Sequence, residues 1–164
     1  MELLRSNYKS PGEAGKRGFE DLECYMLALD VIVNAYQLAK CVPADEKYDL
    51  ASQVRRSSKS VTSNIAEGYG RYHYLDSLKF YSNARGSLNE TSSHFIEARV
   101  VGYIDQAHFE QVYALIRQTE RVLNGYMTFV RKQQAGADLN GNRTAREEQS
   151  EYIVDDDNFD TPAT

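Results

Sequence analysis

Between Pro43 and Pro162 the chain has no proline, and through most of that stretch apolar residues recur at steps of three and four. A proline inside a helix removes a backbone hydrogen bond and clashes with the preceding turn, so its absence permits long uninterrupted helices. The three-and-four spacing lines apolar side chains along one helical face. Together these two features predict an all-α chain, and the places where the period breaks divide it into four helices.

Helix A is expected from about Glu20 to Cys41, with a core stripe of Leu22, Met26, Leu29, Ile32 or Val33, Tyr36 and Ala39. Glu20, Asp21 and Glu23 fall in its first turn, where the helix dipole favours negative charge. Val42-Pro43 ends it, because the residue before a proline is pushed out of helical conformation. Helix B is expected from Asp45 or Lys47 to Glu67. Its thin stripe is Leu50, Val54, Val61 and Ile65, among many serines and alanines. A helix so rich in small residues has little propensity of its own and needs close neighbours. Gly68 and Gly70 are read as its end. Helix C is expected from Tyr74 to Val101, with Leu78, Tyr81, Ala84, Leu88, Thr91, Phe95 and Ala98 on one face. Gly86 inside it costs about 1 kcal/mol against alanine, which a close helix crossing there would explain. Helix D starts at Asp105 as N-cap and continues to about Gln134, with Phe109, Val112 or Tyr113, Ile116, Leu123, Met127 and Val130 facing inward. Short connections between four long helices leave an antiparallel up-down-up-down four-helix bundle over residues 19–134.

The ends differ from this core. Residues 1–18, with Ser10-Pro11-Gly12, Gly15 and Gly18, read as a flexible arm. Residues 135–164 carry two basic and eight acidic side chains, including Asp155-Asp156-Asp157, and read as a disordered acidic tail. The net charge of −5 belongs to this tail: residues 19–134 carry thirteen basic and fourteen acidic side chains. No run of about eighteen apolar residues is present and Met1 to Gly18 holds no signal-peptide core, so the expected location is the cytoplasm, away from membranes. Cys24 and Cys41 on one helix lie about 25 Å apart and cannot pair within the chain.

The motifs of enzyme chemistry do not assemble. A di-iron bundle site needs Glu-x-x-His on two helices plus two more glutamates. Glu90, His94 and Glu97 sit on one helix with no second copy of the pattern, and His73 and His108 lack carboxylates at ligand spacing. There is no phosphate loop and no dinucleotide glycine fingerprint. No metal, cofactor, small-molecule substrate or catalytic residue is expected. The most basic stretch is Arg55-Arg56-Ser57-Ser58-Lys59, followed by Arg71, Tyr72, His73 and Lys79. Arg55, Arg56, Lys59 and Arg71 are the candidate residues for gripping phosphates. The alternative is a solvated face paired with acids such as Asp49 and Asp76. The acidic tail is a further candidate to cover the same patch.

Three stretches carry a family resemblance. They are Phe19-Glu20-Asp21-Leu22-Glu23; Ser52-Gln53-Val54-Arg55-Arg56 running on to Ser63-Asn64-Ile65-Ala66-Glu67-Gly68-Tyr69-Gly70-Arg71; and Gly86-Ser87-Leu88-Asn89-Glu90 with Gly102-Tyr103-Ile104. In order and spacing they resemble the four-helix-bundle proteins encoded in intervening sequences of the 23S rRNA gene, over about residues 19–132. The resemblance implies a closed antiparallel bundle and assembly into ring-shaped homopentamers. It also implies kinship with bundles that serve retroelement reverse transcriptases as accessory proteins, which are basic and bind nucleic acid and the polymerase. The sequence departs from the pattern at Thr62, where the family often has proline, and at Ser57 and Ser58, often alanines. It departs again at Tyr25, often tryptophan, at His73, usually a serine or threonine cap, and in its long acidic tail. Asn64 and Glu67, one turn apart, are read as structural: they bond the chain turning through Gly68 to Arg71, or Glu67 pairs with Arg71 or Arg56. Gly68, Gly70 and Gly86 complete this structural motif.

The function expected from these features is a non-enzymatic oligomeric scaffold or adaptor for a protein or nucleic-acid partner. The alternative is a nucleic-acid-binding accessory protein, with RNA, DNA or a reverse transcriptase as partner.

Overall fold

A computed structural model describes residues 18–71 and 73–140, with side chains described to residue 133. The arm before Gly18, Tyr72 and the chain beyond Asn140 lie outside the described residues. Four helices follow in order: α1 (Glu23–Cys41), α2 (Leu50–Tyr69), α3 (Tyr74–Val100) and α4 (Gln106–Asn140). Short 3-10 turns at Phe19–Asp21 and Ala44–Tyr48 precede α1 and α2. Packing runs α1–α2, α2–α3, α3–α4 and α4–α1, so α1 and α3 stand diagonally across an antiparallel bundle.

The local signals act as their chemistry requires. Val42, ahead of Pro43, is extended at φ −74° and ψ 152°, and α1 stops there. Asp105 caps α4, its Oδ1 accepting from the His108 amide at 2.8 Å. At the other end of α3, Gly102 takes φ +84°. The Tyr103 amide donates to the Ala98 carbonyl at 2.8 Å and the Gly102 amide to Arg99 at 3.3 Å. This is the left-handed glycine cap that satisfies the last carbonyls of a helix.

Five expectations differ from the structure. Helix B does not begin at Asp45 or Lys47: that segment is a 3-10 turn, and α2 starts at Leu50. Glu46 explains the break, because its Oε2 accepts from the Leu50 amide (3.3 Å) while its Oε1 accepts from Tyr103 Oη (3.0 Å). Gly68 does not end α2 but lies buried inside it, and only Gly70 stands at the cap. The close crossing is at Gly68 and not at Gly86. A Cβ on Gly68 would lie 2.5 Å from the Tyr81 ring, whereas one on Gly86 would meet nothing within 4 Å. Fourth, α4 continues to Asn140, six residues past the expected boundary at Gln134. Gly136 weakens a helix without stopping it.

The fifth difference bears on function. On α1 the core takes Cys24, Leu27, Ala28, Val31, Asn34, Ala35 and Leu38, together with Leu22 just before the helix. Apart from Leu22, the expected stripe of Met26, Leu29, Ile32 or Val33, Tyr36 and Ala39 is only half-buried, and Tyr36 is 39 % exposed. The helix is apolar on two sides, and the bundle uses the side richer in small residues.

The other three stripes are buried as expected on most positions, including Val54, Val61, Ile65, Tyr81, Leu88, Phe95, Leu123 and Val130. The serines of α2 make the close α2–α3 contact. Thr91 Oγ1 donates to Ser57 Oγ across it (2.9 Å), and the Ser60 and Ser87 hydroxyls lie 2.8 Å apart. Buried hydroxyls without such partners would cost free energy. At the centre the Tyr81 and Tyr126 rings meet edge to face at 5.1 Å, with their hydroxyls 3.4 Å apart. Burial pushes both phenols well above their ordinary range and pushes the Cys24 thiol up to about 12.

Candidate partner-binding face

α2 carries three of the four candidate cations along its outer side. At about 100° per residue, Arg55 and Lys59 differ by about 40° and Arg56 stands about 100° from Arg55. Arg56 and Lys59 are exposed and Arg55 is half-buried. None of the three enters an ion pair among the described residues.

Arg71 does not join them. Sixteen residues beyond Arg55, it sits about 24 Å away along the helix axis. Its guanidinium pairs with Glu67 and lies 4.4 Å over the Phe80 ring. The Glu67 alternative therefore resolves to Arg71 rather than Arg56. Asn64 turns the other way: its Nδ2 donates to the Ser60 carbonyl at 2.8 Å and to Ser60 Oγ at 3.1 Å. Asn64 thus steadies the hydroxyl that meets Ser87, and the motif ties α2 to α3. Gly70 lies at the end of α2 and Gly86 on the exposed side of α3.

The structure places Lys59 beside a feature that the periodicity assigned to the core. A groove of about 610 Å³ runs between α1 and α2, lined by Ile32, Val33, Tyr36, Gln37 and Lys40 from α1 and by Lys59, Thr62 and Ser63 from α2. Its floor is aliphatic with one tyrosine, and its charged groups are two lysines. Lys40, Gln37 and the apolar floor were missed as site residues because Ile32, Val33 and Tyr36 fit a core stripe equally well. The signal available was surplus: α1 has more apolar positions than one buried face can take.

Elsewhere, His94 Nδ1 lies 3.3 Å from Glu97 and its Nε2 3.9 Å from Glu90, all on one helix. Among the described residues no group of three or more His, Cys, Asp or Glu side chains could hold a metal ion. No helix among them is long and apolar enough to cross a membrane.

Comparison with known proteins follows the same outline. The family model described as 23S rRNA-intervening sequence protein matches residues 20–125, which include both sides of the groove. Among solved structures, one from Bacteroides thetaiotaomicron VPI-5482, described as a protein with unknown function from the S23 ribosomal protein family, has the same fold. It aligns with a TM-score of 0.59 and 20 % identity, over 63 % of this chain and 97 % of that one. No protein of curated function matches. Neither description names an enzyme.

Proposed function

From the premise that this chain belongs to the 23S rRNA-intervening sequence protein family, we propose that it is a non-enzymatic adaptor whose α1–α2 face receives an anionic protein segment with apolar side chains. The observation that carries this reading is the groove itself: an aliphatic floor of Ile32 and Val33 beside Tyr36, flanked by Lys40 and Lys59. Apolar surface left outside a bundle rewards a partner that covers it, and the lysines select for carboxylates at its edges.

A nucleic-acid partner is the second reading, supported by Arg55, Arg56 and Lys59 standing without ion pairs among the described residues. Single strands are held by aromatic platforms as well as charge, and this face offers one half-exposed tyrosine. Phosphate contacts release counterions, so such binding would weaken steeply with salt. Capture of partners from host extract on the full chain, with and without nuclease, separates the two. Partners retained after nuclease support the adaptor; partners lost with it support the nucleic-acid reading.

The adaptor is also proposed to work as a homopentamer in the cytoplasm. Support comes from the family and from an exposed apolar patch away from the groove, Ile96, Val100 and Val101 at the end of α3. Head-to-tail contacts through such a patch close into a ring where the rotation between subunits allows it, and leave the α1–α2 groove open to the partner.

A further inference from the structure

The α1–α2 groove asks for a ligand of defined composition: a few apolar side chains to cover Ile32, Val33 and Tyr36, with carboxylates near Lys40 and Lys59. Neither lysine enters an ion pair among the described residues. The chain beyond α4 holds one stretch of that composition, Glu151-Tyr152-Ile153-Val154-Asp155-Asp156-Asp157. Its three apolar residues are bracketed by acids on both sides. It also sits in the most acidic part of the chain, opposite in sign to the groove's rim.

We propose that residues 151–157 of the same molecule dock in the α1–α2 groove and compete with the partner for it. This rests on the adaptor reading of that face and deepens it: the tail is the groove's resident ligand.

Reach allows the contact. Bonds from Arg85 to Asn124 and from Arg99 to Gln106 set α3 and α4 in register, so Tyr74 is level with about residue 133. Helix α4 therefore ends, at Asn140, about 10 Å past the end of the bundle where α1 begins. From the start of α1 the groove residues lie a further 14–26 Å along the axis, at about 1.5 Å per residue. The ten residues 141–150 span up to about 35 Å when extended. That brings Glu151 to the near end of the groove and leaves the next residues to run along it.

The charge match gives the contact its sensitivity. Attraction between exposed lysines and aspartates is screened over about 10 Å at 0.1 M salt and about 3 Å at 1 M. The tail therefore yields the groove as salt rises, or to a partner with a better apolar fit.

The full chain provides its own reporter. Cys24 is buried and Cys41, one residue beyond Lys40, is exposed. A nitroxide on Cys41 should therefore attenuate the amide NMR signals of residues 151–157 severalfold relative to the reduced label. The attenuation should disappear in the Lys40→Glu/Lys59→Glu double variant and in 1 M salt. Equal intensities with oxidised and reduced label would overturn the proposal, and with nuclease-resistant capture intact would remove the tail while keeping the adaptor. Attenuation seen only when label and isotope are on separate chains would overturn the assignment to the same molecule.

Discussion

Gly68 and Gly86 look alike in the sequence, each a glycine within a helical pattern, yet they do opposite things. At Gly68 an added methyl would strike the Tyr81 ring at 2.5 Å, and that ring is fully buried against Tyr126. Gly68→Ala is expected to destabilise the bundle by about 1–3 kcal/mol, the usual cost of overpacking. Gly86→Ala enters open space in the single chain and is expected to stabilise it by about 0.5–1 kcal/mol. Urea denaturation of the two variants beside the parent checks both signs. Spacing alone could not tell them apart, because which glycine lies under a tyrosine depends on helix rotation. Cys24 supplies a second test at this scale. Its thiol titrates near 9 ordinarily and about 12 here, because burial disfavours the thiolate. The folded state thus holds a proton that the unfolded state releases, so this stabilisation is complete below pH 9 and is lost as pH rises toward 12. Tyr81 and Tyr126 are shifted the same way and add to the loss above pH 10. Stability should fall progressively from pH 9 upward, and a thiol reagent at pH 8 should modify Cys41 and spare Cys24.

Among the elements, α3 and α4 were the most legible. On both, the three-and-four period marks the face that packs, and Leu88, Phe95, Leu123 and Val130 are buried where the period puts them. On α1 the pattern is ambiguous, because Leu29, Ile32, Val33 and Tyr36 satisfy the same period as Leu27, Ala28, Val31 and Leu38. Periodicity identifies an apolar face, but only packing decides between two of them. That ambiguity is also why the groove was invisible: its floor looked like core. α2 was legible as a helix needing close neighbours, and the reason is now specific. Ser57 meets Thr91 and Ser60 meets Ser87 across the α2–α3 contact. A double-mutant cycle of Ser57→Ala and Thr91→Val should return a coupling of about 0.5–1.5 kcal/mol, the net value of one such bond. Independent, additive effects would show that helix proximity rather than the hydroxyl pair holds this contact.

For the molecule as a whole, the fold and family can be read from the sequence, while the groove proposed as the partner's face cannot. Proximity in sequence groups the four cations, but the fold separates Arg71, which pairs with Glu67 and covers Phe80, from the other three. Removing residues 135–164 is expected to leave stability unchanged within about 1 kcal/mol, since among the described residues the core ends at Val130. A larger loss in thermal melts would show that the last turns of α4 bear on the core. Light scattering of the full chain should give about five times 18.6 kDa, and a mass near 18.6 kDa would remove the pentamer. The groove's role is tested most directly by repeating nuclease-treated capture with Tyr36→Ser/Lys59→Glu, two exposed positions on opposite sides of it. The partner should be lost while the melting temperature of the variant matches the parent. A partner held as firmly by the variant as by the parent would contradict it.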